Sequence, residues 1–514
     1  MQIIPSLILR MLYCPGSLHN TVAGFRFELK NRLNEACLCA LRGVSIDGSP
    51  VAIENVTLHF PDGRAVPADR LAAGAPVPFT LGARVVLDVA GAPLTDGLHR
   101  LVLEFRTQPY GDIKISVQDS ATPAHSLSAG VPRSDSDDYA ESIVAQRQAL
   151  LESRSGVSVE HLKHYSFDPH MCKGNIENFI GVAQVPIGLA GPLRVAGEHA
   201  DGEFLIPLCA TEGSLVASYN RGMKLLNLNG GAKCTVLADV MQRAPVFVLD
   251  DARCARHFAA WVESNVGSIR EAAESTSSVA RLAYIDPYLA GRFVYLRFNY
   301  TTGDAAGMNM VGRATFAACS WIVDRYEGIR NFYLEANFAT DKKSSKVNML
   351  HTRGKRVTAE AIVSRDSLLE VMRVTPEQLR DLTSLGTLGA FLAGANNNGG
   401  HSSNAVTALF LATGQDVANV AESSAGLLFT EVTKTGDLYI ALTLPALIVA
   451  TYGGGTGLAT QRECLEVMGC FGKGKVRKLA EIVAGVALAG ELSLGSAICA
   501  TDWVSAHDRY GRNR

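Results

Sequence analysis

The sequence predicts an α+β multidomain protein in which an N-terminal all-β, sandwich-like domain precedes a longer mixed region. Three observations predict it. The 514 residues exceed what one hydrophobic core supports and suit two to four domains. Residues 1–120 carry short β-rich runs punctuated by Asp-Gly pairs, whereas from Asp138 helical periodicity alternates with glycine-rich turns. Hydrophobic residues make up 47% of the chain, aromatics only 7%, and there are 48 glycines, which suits an Ala/Gly/Val-rich fold with tight turns.

Charge excludes other classes. With 48 basic and 50 acidic residues and a net charge of -2, nothing suggests an electrostatic nucleic-acid or membrane binder. The 11 cysteines form no CxxC pair, so neither a metal site nor a disulfide framework is signalled. Reduced thiols and a cytoplasmic location are expected. Met1–Cys14 contains Pro5 and Arg10 and no small-residue cleavage site, unlike a signal peptide. The apolar run Ile482–Gly490 falls short of the ~20 residues that span a bilayer and predicts a buried helix.

The elements follow in order. Val56–Phe60, Arg84–Val89, Arg100–Phe105 and Ile113–Val117 read as strands, with Asp47-Gly48, Asp62-Gly63 and Asp96-Gly97 as hairpin signals. The segment Gly24–Leu33, leading to Val44–Gly48, resembles small β-domains that accompany C-glycoside-cleaving enzymes. Docking or oligomerisation is its expected role. Residues 119–137, rich in Ser, Asp, Ala and Pro, read as a linker, and a helix is expected over 138–154. A helix-rich insertion spans about 252–282, and Arg292–Tyr300 reads as a strand. That strand enters a glycine turn and a helix at Thr301–Met310, a geometry able to cradle phosphate, since helix N-termini present free N–H groups. Leu382–Ala395 and His401–Thr413 read as helices, and Leu438–Val449 as a buried strand.

Four groups stand out: Glu212, Lys342, Asp416 and His507. Each has an ordinary reading: a helix-start carboxylate, a solvated loop lysine, a turn aspartate, a histidine in a basic tail. Together they are the types a thioester reductase needs. A cation stabilises the oxyanion made by hydride attack. A carboxyl of raised pKa supplies a proton, and a second carboxylate holds the lysine. An imidazole protonates the departing thiolate near neutral pH.

The ordered motifs ENFIGVAQVPIGLAGPL, ATEGSLVASYNRG, GDAAGMNM, ATDKK, TGQDVANV, YGGGTG and AGELSL span 138–514. The chain resembles the hydroxymethylglutaryl-CoA (HMG-CoA) reductases, in a form similar to the animal and plant class. The resemblance implies two successive hydride transfers, through a mevaldehyde-level hemithioacetal, to mevalonate and free coenzyme A. It implies Glu212, Lys342, Asp416 and His507 as catalytic residues, and Arg243, Lys343 and Asn404 at the substrate. Asp304, Met308, Asn309 and Gly453, Gly454 and Gly455 would lie at the dinucleotide. Arg313 and Arg512 are candidates for a 2′-phosphate, which favours NADPH over NADH. The implied fold places an inserted ferredoxin-like dinucleotide domain at 225–345, within a substrate domain of 138–224 and 346–514, after a linker at 121–137. Homodimers or dimers of dimers with shared active sites are implied, without nucleic acid or membrane, and the β domain is expected to be foreign to the family and to dock a protein partner.

Two departures bear on substrate. Glu335 stands where the family has a serine and Leu385 where it has a lysine, both substrate contacts, while the loop before His401 reads NNNGGH. A carboxylate at Glu335 would repel the substrate's own. Reduction of a different 3-hydroxyacyl-CoA or carrier-protein thioester is therefore the alternative expectation, with a non-catalytic scaffold as a third.

Overall fold

The computed structural model describes residues 9–33, 35–71, 76–121 and 130–501. The chain divides into two compact units, one of Met1–Val131 with Cys319–Asn331, the other of Pro132–Ala318 with Phe332–Arg514.

In the first unit two five-stranded antiparallel sheets share one apolar core. One sheet runs in the order His19–Thr21, Gly24–Lys30, Arg84–Ala90, Val56–His59, Ala65–Pro67. The other is built from Gly111–Ser120, Leu98–Gln108, Ala36–Ile46 and Ser49–Val51, with Val77–Phe79 also paired to Ala36–Ile46. Alternation explains the arrangement: Leu101, Leu103 and Phe105 point inward while their neighbours face out, and they meet Phe27, Leu58 and Leu87 of the facing sheet. Asp47 and Gly48 both adopt positive φ, 50° and 85°, and close a two-residue hairpin. Asp96-Gly97 behaves differently from expectation. It lies between strands of different sheets, so it marks a crossover and no hairpin.

The second unit is organised by the helix Val476–Cys499, buried over most of its length. Among the described residues it is the one helix long and apolar enough to cross a membrane, yet here it forms the centre of the core. Small residues let the Leu215–Leu228 helix pack directly against it. A Cβ built on Gly222 would lie 1.9 Å from the Ala489 carbonyl oxygen, and one on Gly490 would lie 2.3 Å from the Tyr219 ring. Three carboxylates fasten this helix. Asp304 accepts backbone N–H bonds from Gly474, Lys475 and Val476 at its start. Buried Glu481 accepts from Glu198, His199 and Ala200, and Glu491 from Gly400, His401 and Ser402. Hydrogen bonds to a charged acceptor are worth about 1.5–3 kcal/mol each, which offsets the cost of burying carboxylates in an apolar helix.

A ten-stranded sheet lies in this unit. Its strand Ala232–Arg243 changes partner: Lys233–Val240 pair with Gly354–Glu360, then Met241–Arg243 pair with Phe298–Tyr300. Beyond that point the chain order is strand, helices Ala252–Ser264 and Val266–Glu274, strands Arg281–Ala290 and Phe293–Thr301, helix Met308–Arg325, strand Asn331–Tyr333. In the sheet these strands run Asn331–Tyr333, Val246–Val248, Phe293–Thr301, with Arg281–Ala290 on the far side of Phe293–Thr301. The helix expected over 382–395 begins earlier, at Pro376, because Thr375 and Gln378 form a capping box.

Candidate active site

The stretch Cys209–Ser218 leaves a strand and enters the Leu215–Leu228 helix. The residue before the helix is Ser214, held at φ 66° with no capping side-chain bond. Left-handed backbone at a non-glycine residue costs about 1–3 kcal/mol and persists only where its surroundings impose it. The turn leaves Glu212 exposed at the rim of a cavity of about 530 Å³, lined also by Ser218, Arg221, His401 and Asn404.

Asn404 and His401 form one unit. Asn404 Nδ2 lies 2.9 Å from His401 Nδ1, and the imidazole stacks on Tyr219 at 4.8 Å between ring centres. Burial pushes His401 down to about 4, so the ring is neutral at physiological pH. Sequence reasoning left His401 and Tyr219 out of the site. The signal was present, a histidine next to a polar glycine loop, but only packing shows that it is neutral and oriented.

Lys342 and Asp416 come together from segments far apart in sequence. Lys342 Nζ lies 3.5 Å from Asp416 Oδ2. The lysine sits in a loop whose backbone is left-handed at Asn337, Thr340 and Lys342, with φ of 67°, 60° and 61°. Polar bonds hold the loop at Thr340 and Lys342. Thr340 Oγ1 donates to Asn348 Oδ1 at 2.9 Å, and the Lys342 N–H donates to Glu422 Oε1 at 3.0 Å. Ser344 Oγ donates to Asn396 Oδ1 at 2.7 Å, tying the loop to the polar turn that leads to Asn404. Among the described residues no hydrogen bond or ion pair joins Glu212 to Lys342 or Asp416.

Behind the loop lies a charge network whose Arg353 and Glu422 are absent from the sequence reading. Buried Arg353 donates to Asp341 Oδ1 at 2.6 Å and lies 3.4 Å from Glu422 Oε2. Arg243 reaches Asp341 Oδ2 at 3.6 Å and donates to the Met308 carbonyl at 3.1 Å. Lys343 turns its ammonium to the Asp341 carbonyl oxygen at 3.1 Å.

Two glycine segments could hold a dinucleotide. Gly303 and Gly307, with φ of 61° and 81°, carry the chain into the 18-residue helix Met308–Arg325, whose first turn has no acidic residue. That N-terminus suits phosphate. Asn309 and Arg313 are exposed on this helix. Gly453 and Gly454 also have positive φ, and open space lies where their Cβ atoms would be. The loop is held beside Asp416: a Cβ on Gly455 would lie 2.5 Å from the Gly414 oxygen, and Gln415 bonds both the Ala450 N–H and carbonyl. Asp304, expected at the cofactor, already accepts three N–H groups from the start of the Val476–Cys499 helix. Glu335 accepts from the Ala336 N–H, and Leu385 is 68% exposed on a helix face with other apolar side chains. His507 and Arg512 lie outside the described residues.

A family model described as hydroxymethylglutaryl-coenzyme A reductase matches residues 143–512. A second, described as hydroxymethylglutaryl-CoA reductase, N-terminal domain, matches residues 8–122. This corrects the expectation that the β domain is foreign to the family, and with it the likeness to glycoside-cleaving enzymes. The 3-hydroxy-3-methylglutaryl-coenzyme A reductase of Pyrococcus abyssi is 45% identical over 374 residues, 71% of this chain and 92% of that protein. The protein of the same name from Methanothermobacter thermautotrophicus is 46% identical over 369 residues, 71% and 92%. That of Haloferax volcanii is 40% identical over 402 residues, 77% and 98%. Among solved structures, the class II 3-hydroxy-3-methylglutaryl-CoA reductase from Streptococcus pneumoniae bound to NADPH in open conformations has a TM-score of 0.54. At 20% identity, over 69% of this chain and 86% of that one, it shares the fold.

Proposed function

The chain belongs to the hydroxymethylglutaryl-CoA reductase family, and from that premise we propose that it reduces HMG-CoA to mevalonate and free coenzyme A with NADPH. The alternative of another 3-hydroxyacyl thioester gains no support, because relatives 40–46% identical all carry the HMG-CoA name. Each turnover consumes one HMG-CoA, two NADPH and two protons.

The observation that carries the reading is the approach of Lys342 to Asp416, beside the glycine loop Gly453–Gly455. The Lys342 ammonium faces the thioester oxygen and stabilises the charge that develops there. Asp416 holds that ammonium in place. Glu212, at the rim of the cavity, supplies the proton to the carbonyl oxygen, and Asn404 orients the acyl group beside neutral His401. Arg243 and Lys343 meet the acid end of the substrate, and His507 protonates the coenzyme A thiolate. NADPH, when bound, supplies hydride. Met308, Asn309 and Arg313 at one helix start and Gly453–Gly455 would hold it, with Asp304 fixing the turn between them and Arg512 as a second phosphate contact. The strand–helix order from Val246 to Tyr333 supports reading the 225–345 region as a ferredoxin-like dinucleotide module. The free state of all eleven cysteines supports a cytoplasmic location.

A homo-oligomer with shared active sites is part of this reading. The Pro376–Leu392 helix exposes Leu385, Leu388, Phe391 and Leu392, at 68, 56, 80 and 77%, along one face. A second copy of the chain is the occupant that covers it.

The test is direct. Purified protein with NADPH and HMG-CoA should lose NADPH absorbance and yield two oxidised cofactors per free thiol. Absence of turnover with HMG-CoA, beside turnover of another 3-hydroxyacyl thioester, would reject the substrate assignment.

A further inference from the structure

We propose that Glu422 is a positioning residue of the reduction, one that holds the backbone of Lys342 so that its ammonium reaches Asp416; this rests on the reading of Lys342 as the thioester-facing cation. Three observations carry it. The Lys342 N–H donates to Glu422 Oε1 at 3.0 Å, and Lys342 is one of the few non-glycine residues with positive φ, 61°. A strained conformation of this kind needs an anchor, and the N–H bond is one. Next, Glu422 and Asp416 lie on one short segment, Asp416–Ser423, built of a 3₁₀ turn and a helical turn. That segment therefore grips Lys342 twice, the backbone through Glu422 and the ammonium through Asp416. Finally, Glu422 is 1% exposed, and its other oxygen faces Arg353, which also donates to Asp341, the residue before Lys342. The anchor is thus itself fixed from behind.

A buried carboxylate is an expensive anchor. Burial raises Glu422 to about 7, an effect that Arg353 and the Lys342 N–H oppose without cancelling. Asp341 and Lys343 are the other charged groups that bear on it. Either protonation state retains an oxygen able to accept the Lys342 N–H, so the device depends on where that oxygen sits, with charge secondary.

This distinction defines the experiment. Glu422→Gln keeps an acceptor in place and removes the charge. Glu422→Asp keeps the charge and withdraws the acceptor by one methylene. Both are measured beside the wild type with HMG-CoA and NADPH, with NADPH-dependent melting as the check on folding. The expected pattern is kcat within about threefold of wild type for Gln and lowered at least ~10-fold for Asp, with both KM values unchanged. A displacement of about 1 Å at a reacting group is enough for such a loss. Glu422→Asp retaining full kcat, or Glu422→Gln losing as much as Glu422→Asp, would overturn the proposal. A wild type that turns over no HMG-CoA would instead reject the functional reading on which the proposal stands.

Discussion

Lys342 Nζ stands 3.5 Å from Asp416 Oδ2, with both side chains nearly half exposed, at 48 and 42%. Exposed pairs of this kind contribute about 0–1 kcal/mol to stability. The chain nevertheless holds Lys342 in a left-handed conformation to make the contact. Its proposed value lies in placing a cation.

Lys342→Ala should lower kcat for HMG-CoA reduction by at least ~10²-fold, the scale of losing one group that stabilises an oxyanion. NADPH affinity should be unchanged, because the glycine loop proposed to hold the cofactor is built from other segments. Steady-state kinetics with a fluorescence titration of NADPH checks both. Surviving activity would remove the role given to Lys342.

Gly453→Ala should raise the KM for NADPH by about tenfold while leaving that for HMG-CoA near wild type. A φ of 80° with ψ of 173° is a conformation almost confined to glycine and costs a side chain about 1–3 kcal/mol, and the added Cβ enters open space where the cofactor is proposed to lie. An unchanged KM for NADPH would place the cofactor elsewhere.

Gly222→Ala should destabilise the second unit by about 1–3 kcal/mol or more, the cost of overpacking a core. The new Cβ would meet the Ala489 carbonyl oxygen at 1.9 Å, and backbone cannot rotate away as a side chain can. Urea denaturation followed by circular dichroism measures the loss. Gly267→Ala, with nothing near its Cβ, is the control.

Two buried groups set opposite pH dependences. Glu422 titrates near about 7 in the fold against an ordinary 4.5. Between these values the folded chain holds the extra proton, so this contribution to stability falls as pH rises. His401 titrates near about 4 against 6.5, so its contribution is lost as pH falls from 6.5 toward 4. Relative to wild type, Glu422→Gln should therefore gain stability between about pH 5 and about pH 7.5, on the order of 1 kcal/mol or more, since one pKa unit is worth about 1.4 kcal/mol. Urea midpoints at the two pH values decide. No relative gain would mean that Glu422 ionises normally.

Phe391→Asp should shift the chain to a smaller species in sedimentation velocity and lower specific activity with it. A charge in the middle of an apolar contact costs several kcal/mol unless it is paired. An unchanged sedimentation coefficient would mean that this face is not the contact between copies.

The sequence alone determined much of this protein because its signals are local. Alternation over Leu98–Gln108 specifies a half-buried strand, Asp47-Gly48 specifies a hairpin, and the motifs around Glu212, Lys342 and Asp416 are contiguous runs that carry the family resemblance. The chain even marked the Val476–Cys499 helix as buried through its apolar core. Relations between distant segments were decided only in three dimensions. Asp304 reads as a cofactor residue in a glycine motif, but its carboxylate is occupied by N–H groups 170 or more positions away. Glu422 lies outside every motif singled out in the sequence, yet burial behind Lys342 turns it into an anchor. His401 reads as the start of a helix, yet stacking on Tyr219 and desolvation make it neutral. The physical reason is common to all three: hydrogen-bond partners, burial and protonation depend on what the fold brings next to a side chain, and residue type and spacing do not carry that information.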